Sequence, residues 1–247
     1  MRIAFDMDGV LADLHQPFVQ AALKLYPQLD ASAIVAADIG ASPPDDAADD
    51  QKPHAAPSAA PMGVALSGRQ SDAVWKHLSS IENFWETLTE IDDGAIRRLA
   101  ALADERRWEV IFITSRPTSS GLTVQRQSQR WLQRMGFPMP SVFVVHGSRG
   151  RIAEALRLDI VVDDRPDNCL DVVLESKAGA ILVWRGAEGM MPSSARRMGI
   201  GVVSTVDAAL AALVEAERGS EGGLVDRLRR LFGLQVKSSR SARIGQQ

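Results

Sequence analysis

Short apolar strands alternating with amphipathic helices predict an α/β fold, a parallel sheet flanked by helices, with a small helical cap inserted after the first strand. Three observations carry this. The run Ile3-Ala4-Phe5 is apolar without alternation, as in a strand buried on both faces. From Val110 onward, strand and helix patterns take turns. Finally, three strand candidates end in chemically capable residues: Asp6 and Asp8, Thr114 and Ser115, Asp163 and Asp164. In parallel sheets the ligand site lies beyond the carboxyl ends of the strands.

Taken in order, Arg2 to Asp6 is the first strand. A helix follows from about Gln16 to Leu25, ended by Tyr26-Pro27. Residues 40–70 hold five prolines, many alanines and the acidic run Asp45 to Asp50, with no hydrophobic period, so they read as a disordered insert. Order returns near Ser71: Val74, Trp75, Leu78 and Ile81 recur at helical spacing. Asp92-Asp93-Gly94 starts the next helix, whose apolar face is Ile96, Leu99, Ala100 and Ala103. Then come a strand over Val110–Ile113, a helix over Thr123–Met135, a strand over Val142–Val145 and a helix over Arg151–Leu158. A strand over Ile160–Val162, a helix over Leu170–Glu175 and a strand over Ala180–Trp184 follow. Val202-Val203 is one more short strand, and Val206, Leu210, Leu213 and Val214 mark a closing helix. The expected division is 1–15 with 90–218 as the α/β core, 16–89 as the cap, and 219–247 as a basic C-terminal helix and tail.

Composition narrows the function classes. The chain has 247 residues, enough for one large domain with an insert. Hydrophobic residues are 45% and charged residues 24%, so a packed core is affordable. The formal net charge of -3 gives no basic field for nucleic acid. Cys169 is the single cysteine and reads as a packing residue. Asp6 and Asp8 break any signal-peptide hydrophobic run, and no apolar stretch is long enough to span a bilayer. The expectation is a cytoplasmic protein; the oligomeric state is not legible.

The strand ends carry the chemistry. Four carboxylates in one crevice repel each other by roughly 1 kcal/mol per pair at 4 Å in bulk water, and about 4 kcal/mol at an effective dielectric of 20. They require a cation, and oxygen donors without neighbouring Cys or His point to Mg²⁺, a metal that completes its shell with water and substrate phosphate. Asp6-x-Asp-Gly does not open an EF-hand loop, because Leu11 and Pro17 stand where Gly and Glu are needed. Thr114-Ser115 alone would be a helix cap and Asp163-Asp164 alone a solvated turn. His146 reads as a surface or capping residue, and Gln125, Arg126, Gln127, Gln129 and Arg130 as the polar side of a helix.

The run Asp6-Met7-Asp8-Gly9-Val10-Leu11-Ala12-Asp13, Thr114 at a strand end, and Asp163-Asp164 after Ile160-Val161-Val162 together resemble motifs of the haloacid dehalogenase (HAD) superfamily of phosphatases. With Asp163-Asp164-Arg165-Pro166-Asp167 and Asn83-Phe84-Trp85-Glu86-Thr87-Leu88, the chain is similar, more narrowly, to the 5'(3')-deoxyribonucleotidases. The resemblance covers roughly residues 2–38 and 71–185. It implies a Rossmann-like core and a set of roles. Asp6 would be the nucleophile, forming an aspartyl-phosphate. Asp8 would protonate the leaving oxygen and later activate water. Thr114 would bind phosphoryl oxygens, and Gly9, Ser115, Arg116, Phe84 and Trp85 would line the substrate. Mg²⁺ would be held among Asp6, Asp8, Asp164 and the supporting Asp163. The motif lysine is absent from Gly147-Ser148-Arg149-Gly150-Arg151, so Arg149, or second Arg151, would supply the cation.

The expected activity is a Mg²⁺-dependent phosphomonoesterase acting on a small phosphate ester, with a deoxyribonucleotide as leading substrate. Two alternatives stand: phosphotransfer or hydrolysis of another ester such as a sugar phosphate, and a non-catalytic scaffold that keeps the fold and binds a partner.

Overall fold

The computed structural model describes residues 1–31, 34, 66–191, 193–219 and 222–234. Its strands are β1 (Arg2–Asp6), β2 (Ala12–Asp13), β3 (Thr89–Glu90), β4 (Glu109–Thr114), β5 (Ser141–Val144), β6 (Ile160–Asp163), β7 (Gly179–Val183) and β8 (Gly201–Val203). Six of them form one sheet in the order β5-β4-β1-β6-β7-β8. The pairs β4–β5, β6–β7 and β7–β8 are parallel, with Ile113 opposite Phe143, Val162 opposite Ile181 and Leu182 opposite Val202. This is the expected α/β class. The chain divides into two compact units, Phe5–His146 and Met1–Ala4 with Gly147–Gln247, so β1 contributes to both.

The unit Phe5–His146 holds α1 (His15–Leu25), α2 (Gly68–Ser79), α3 (Ala95–Arg106) and α4 (Val124–Arg134). Helix α1 packs on α2, where the Phe18 and Trp75 rings meet edge-on at 5.4 Å. Trp85 extends the cluster, 6.4 Å from Trp75 and 4.9 Å from Phe84. Such pairs add about 0.5–1.5 kcal/mol each beyond the area they bury. A capping box starts α2: the Ser67 hydroxyl accepts from the Gln70 N–H, and the Gln70 amide oxygen accepts from the Ser67 N–H at 2.9 Å. The helix thus begins three residues before Ser71, inside the segment read as an insert; residues 40–65 of that segment lie outside the described residues. Ile81, expected on the buried face, falls beyond the Ser80 C-cap and is 37% exposed. Helix α3 has no cap of its own at Gly94. The Glu90 carboxylate instead accepts from the Gly94 N–H at 2.9 Å and the Ile96 N–H at 2.6 Å. Glu90 stands in β3, which pairs antiparallel with β2, Asp13 opposite Thr89.

The other unit holds α5 (Arg149–Leu156), α6 (Pro166–Glu175), α7 (Ser193–Arg197), α8 (Val206–Arg218) and α9 (Leu224–Leu231). Helices α5 and α6 pack against each other, and Gly150 lets the backbones approach: an added Cβ would overlap the Asp171 carbonyl and lie 2.7 Å from Glu175 Cβ. Ser148 caps α5, accepting from the Gly150 and Arg151 N–H groups at 3.1 and 3.3 Å. Helix α9 rests on α8 through the buried Leu228, with Arg227 Nε donating to the Ala216 carbonyl at 2.5 Å. Residues 235–247 of the basic tail lie outside the described residues. Among the described residues, no helix is long and apolar enough to cross a membrane.

Candidate functional site

Asp6 closes β1 and is 8% exposed. The chain then doubles back at once. The Met7 carbonyl accepts from the Leu11 and Ala12 N–H groups at 2.9 and 2.8 Å, and the Gly9 N–H donates to the Ala12 carbonyl at 3.0 Å. Gly9 sits at φ 83°, where an L side chain would be strained, as expected for this motif. The apolar Val10 and Leu11 are buried beneath the turn and leave the Asp8 carboxylate at its partly exposed edge.

Two expected site residues of the same unit meet Asp8. Arg116 Nε donates to both Asp8 oxygens, at 3.1 and 2.8 Å, and Nη2 donates to Oδ1 at 2.7 Å. The Thr114 hydroxyl, 1% exposed, donates to Asp8 Oδ2 at 3.3 Å. Arg116 is itself buried, and its Nη1 donates to the Ser128 hydroxyl at 2.8 Å. Its guanidinium lies 4.7 Å from the Trp85 ring centroid and 5.9 Å from that of Trp131. Ser115 turns elsewhere and donates to the Val145 carbonyl at 3.0 Å.

These contacts correct several expectations. Arg116, expected as a substrate contact, spends Nε and one N–H of each terminal nitrogen on Asp8 and Ser128, and it also lines the cavity described below. Phe84 and Trp85, expected to line the substrate, are 2% and 1% exposed and show it no ring face. Trp85 Nε1 donates to the Pro117 carbonyl at 3.1 Å and its ring backs Arg116. Gln127 was read as part of a polar helix surface, yet it is fully buried. Its amide accepts from the Trp85 N–H at 3.0 Å and donates to the Leu122 carbonyl at 2.5 Å and the Ser119 hydroxyl at 3.0 Å. A lone polar residue such as Gln127 or Ser128 inside a helical pattern gives no sign of burial until its partners are in place.

In the unit that holds Gly147–Gln247, β6 ends at Asp163, which has no exposed surface. Its carboxylate accepts from the Arg165 N–H at 2.8 Å and from Asn168 Nδ2 at 3.1 and 3.0 Å. Arg149 Nε stands 3.7 Å from Asp163 Oδ2, an ion pair between two buried side chains. Burial pushes the Asp163 carboxyl above the usual carboxylate range, against the opposing pull of Arg149, the Arg165 N–H and Asn168. Of the two candidate cations, Arg149 is therefore the inner one, at the start of α5, while Arg151 is exposed. Asp164, next along the chain, is half-buried.

The expected four-carboxylate metal set narrows accordingly. The Asp8 carboxylate is gripped by Arg116, and that of Asp163 by Arg149, Arg165 and Asn168. Among the described residues, no three His, Cys, Asp or Glu side chains gather as a metal-holding group. A cavity of about 440 Å³ is lined by Arg116 itself together with Thr118, Ser119, Thr123 and His146, among others.

No family model and no curated protein matches the chain. Solved structures do. A HAD family hydrolase from Deinococcus radiodurans R1, with bound phosphate and sodium, is 16% identical; the match covers 87% of this chain and 96% of that one, with a TM-score of 0.55. A protein named as a phosphoglycolate phosphatase from Lactobacillus delbrueckii subsp. bulgaricus is 12% identical over 85% of this chain and 97% of that one, with a TM-score of 0.52. At such identities the likeness concerns the path of the backbone: this chain has the fold of HAD-family hydrolases.

Proposed function

We propose that the protein is a phosphomonoesterase that works through an aspartyl-phosphate on Asp6. The observation that supports this best is the turn after β1, which sets Asp6 at the strand end and holds Asp8, two residues on, by Arg116 and Thr114. A carboxylate nucleophile beside a second, oriented carboxyl is the pairing that acyl-phosphate chemistry needs.

In the first half-reaction an Asp6 oxygen bonds to phosphorus. The bond from phosphorus to the ester oxygen breaks, and the departing oxygen keeps the electron pair and takes the proton of Asp8. In the second, water attacks the phosphorus and gives a proton to Asp8; the Asp6–phosphate bond breaks, releasing inorganic phosphate and restoring Asp6. Asp6 at the end of β1 fits Mg²⁺ as a hard oxygen donor, and Mg²⁺ is commonly bound by only one or two carboxylates. When bound, the ion would neutralise phosphoryl charge. Arg149 and Asp163 form the buried support behind Asp164 and do not touch the ester in this reading.

The substrate is a small phosphate ester whose leaving group occupies the cavity beside Arg116. The motif resemblance favours a deoxyribonucleotide; the burial of Phe84 and Trp85 and the lining of the cavity favour a smaller, hydroxylated or acidic leaving group. Phosphate release with Mg²⁺ from p-nitrophenyl phosphate, deoxyribonucleotides, sugar phosphates and phosphoglycolate tests both points. Asp6→Asn is expected to abolish turnover and covalent phosphate capture; activity surviving that change removes the proposed nucleophile.

A further inference from the structure

We infer that Arg116 is a positioning residue: it acts on the ester through Asp8, by fixing the direction in which the Asp8 carboxyl points. The inference rests on the phosphatase reading above and adds to it a device that the motifs do not contain.

The argument starts from an asymmetry. The Arg116 side chain is 0% exposed, while that of its partner Asp8 is 18% exposed. Burying a guanidinium is expensive unless its charge and its N–H groups are matched. Here the charge and three of the five N–H groups are matched. Nε and Nη2 grip the two oxygens of Asp8, Nη1 is tied to Ser128 on α4, and the flat face is packed by Trp85 and Trp131. The anchors come from separate parts of this unit. Trp85 belongs to the turn before β3, and its position is set by Gln127 and the Pro117 carbonyl. Trp131 is fixed in turn by an N–H donated to the Leu88 carbonyl at 2.8 Å. The cation is thus held from behind by packed elements and reaches toward the site with two parallel N–H groups. A carboxylate engaged at both oxygens cannot rotate about its last bond, and the Thr114 hydroxyl restrains the same group from a second direction. What remains exposed is the edge of Asp8 that a departing or attacking oxygen would meet. A lysine could supply the charge but neither the two-point grip nor the flat face.

The readout is steady-state kinetics of the full chain with Mg²⁺ on p-nitrophenyl phosphate and on an alkyl phosphate. Arg116→Ala is expected to lower kcat by roughly 10²-fold, within the range that positioned acid–base groups contribute, while KM moves less than about threefold. The loss is expected to be steeper for the alkyl ester, whose leaving oxygen depends more on a placed proton. Guanidinium ion should restore about tenfold in kcat by refilling the slot between the two indoles; methylammonium should not. Arg116→Lys should recover little. If Arg116→Ala does not fold, Ser128→Ala carries the test. It leaves Arg116 and Asp8 in place and loosens only the rear anchor, with a several-fold drop in kcat and KM unchanged. A raised KM at retained kcat would make Arg116 a substrate ligand and overturn the inference, as would full kcat in both Arg116→Lys and Ser128→Ala. Wild-type protein that hydrolyses no ester would sink the phosphatase reading itself, and this inference with it; the two failures are told apart by the wild-type lane.

Discussion

Arg149→Ala removes a buried guanidinium whose Nε stands 3.7 Å from Asp163 Oδ2. Asp163 has no exposed surface and Arg149 is 4% exposed, so the substitution strands a carboxylate that water does not reach. Breaking a buried pair from one side costs about 3–5 kcal/mol. The 3.7 Å separation is longer than a hydrogen bond, and Asp163 keeps its bonds from Arg165 and Asn168, so the lower end, about 3 kcal/mol, applies. At about 2–4 °C per kcal/mol for a chain of this size, Tm should fall by roughly 6–12 °C. The pH dependence follows from Asp163's raised position. A carboxyl whose folded-state pKa lies above its unfolded value stabilises the fold in its protonated form, and that contribution is lost as pH rises through the folded value. Removing Arg149 raises Asp163 further and widens the window over which stability is lost. The deficit of the variant should therefore shrink as pH falls, because a protonated Asp163 needs no cation. Thermal melts by circular dichroism at several pH values measure this. A Tm change under about 2 °C at pH 8, or a deficit that grows on acidification, would refute the reasoning.

Further outcomes are expected elsewhere. Gly150→Ala should cost at least about 1–3 kcal/mol, because its Cβ meets the Asp171 backbone and not a movable side chain; an unchanged denaturation midpoint would show that α5 and α6 are not so closely packed. Trp131→Phe keeps an aromatic ring near Arg116 but a smaller one, and leaves the Leu88 carbonyl without its donor, an expected loss of at least about 1–3 kcal/mol by urea unfolding. Gln127→Leu leaves both the Trp85 N–H and the Leu122 carbonyl unmet and should destabilise by more than Trp131→Phe does, compared in the same urea series.

Much of the fold was readable because its signals are local. Strand β1 falls at Arg2–Asp6 as read, since an unbroken apolar run ends at an acid. Helix ends were poorer. Leu170 was read as the start of α6, but Pro166 opens it, and proline at a first helical position was the available signal. The β2–β3 pair was missed because two-residue strands have no period to detect. At the site, the strand-end pattern gathers Asp6, Asp8, Thr114, Arg149 and Asp164 into one set, with Arg116 as a substrate contact, and does not say that Arg116 pairs with Asp8. Arg116 was read as facing substrate because an arginine after a strand end usually has water on one side; here two indoles from distant parts of the sequence close that side. Asp163 and Asp164 look alike in sequence, and only the inward turn of the first separates a buried support from an outward carboxylate.

The single amide of Gln127 also bears on how this protein could be re-engineered. It ties Trp85, Ser119 and Leu122 together, while the Asn83 side-chain Oδ1 accepts from the Leu122 N–H at 2.8 Å. The stretch between β4 and α4 is therefore laced down from inside, and a mutant library that randomised all of it would consist mostly of misfolded chains. Diversity confined to Thr118 and Thr123, exposed positions at the cavity rim, would sample new leaving-group preferences while leaving the lacing intact.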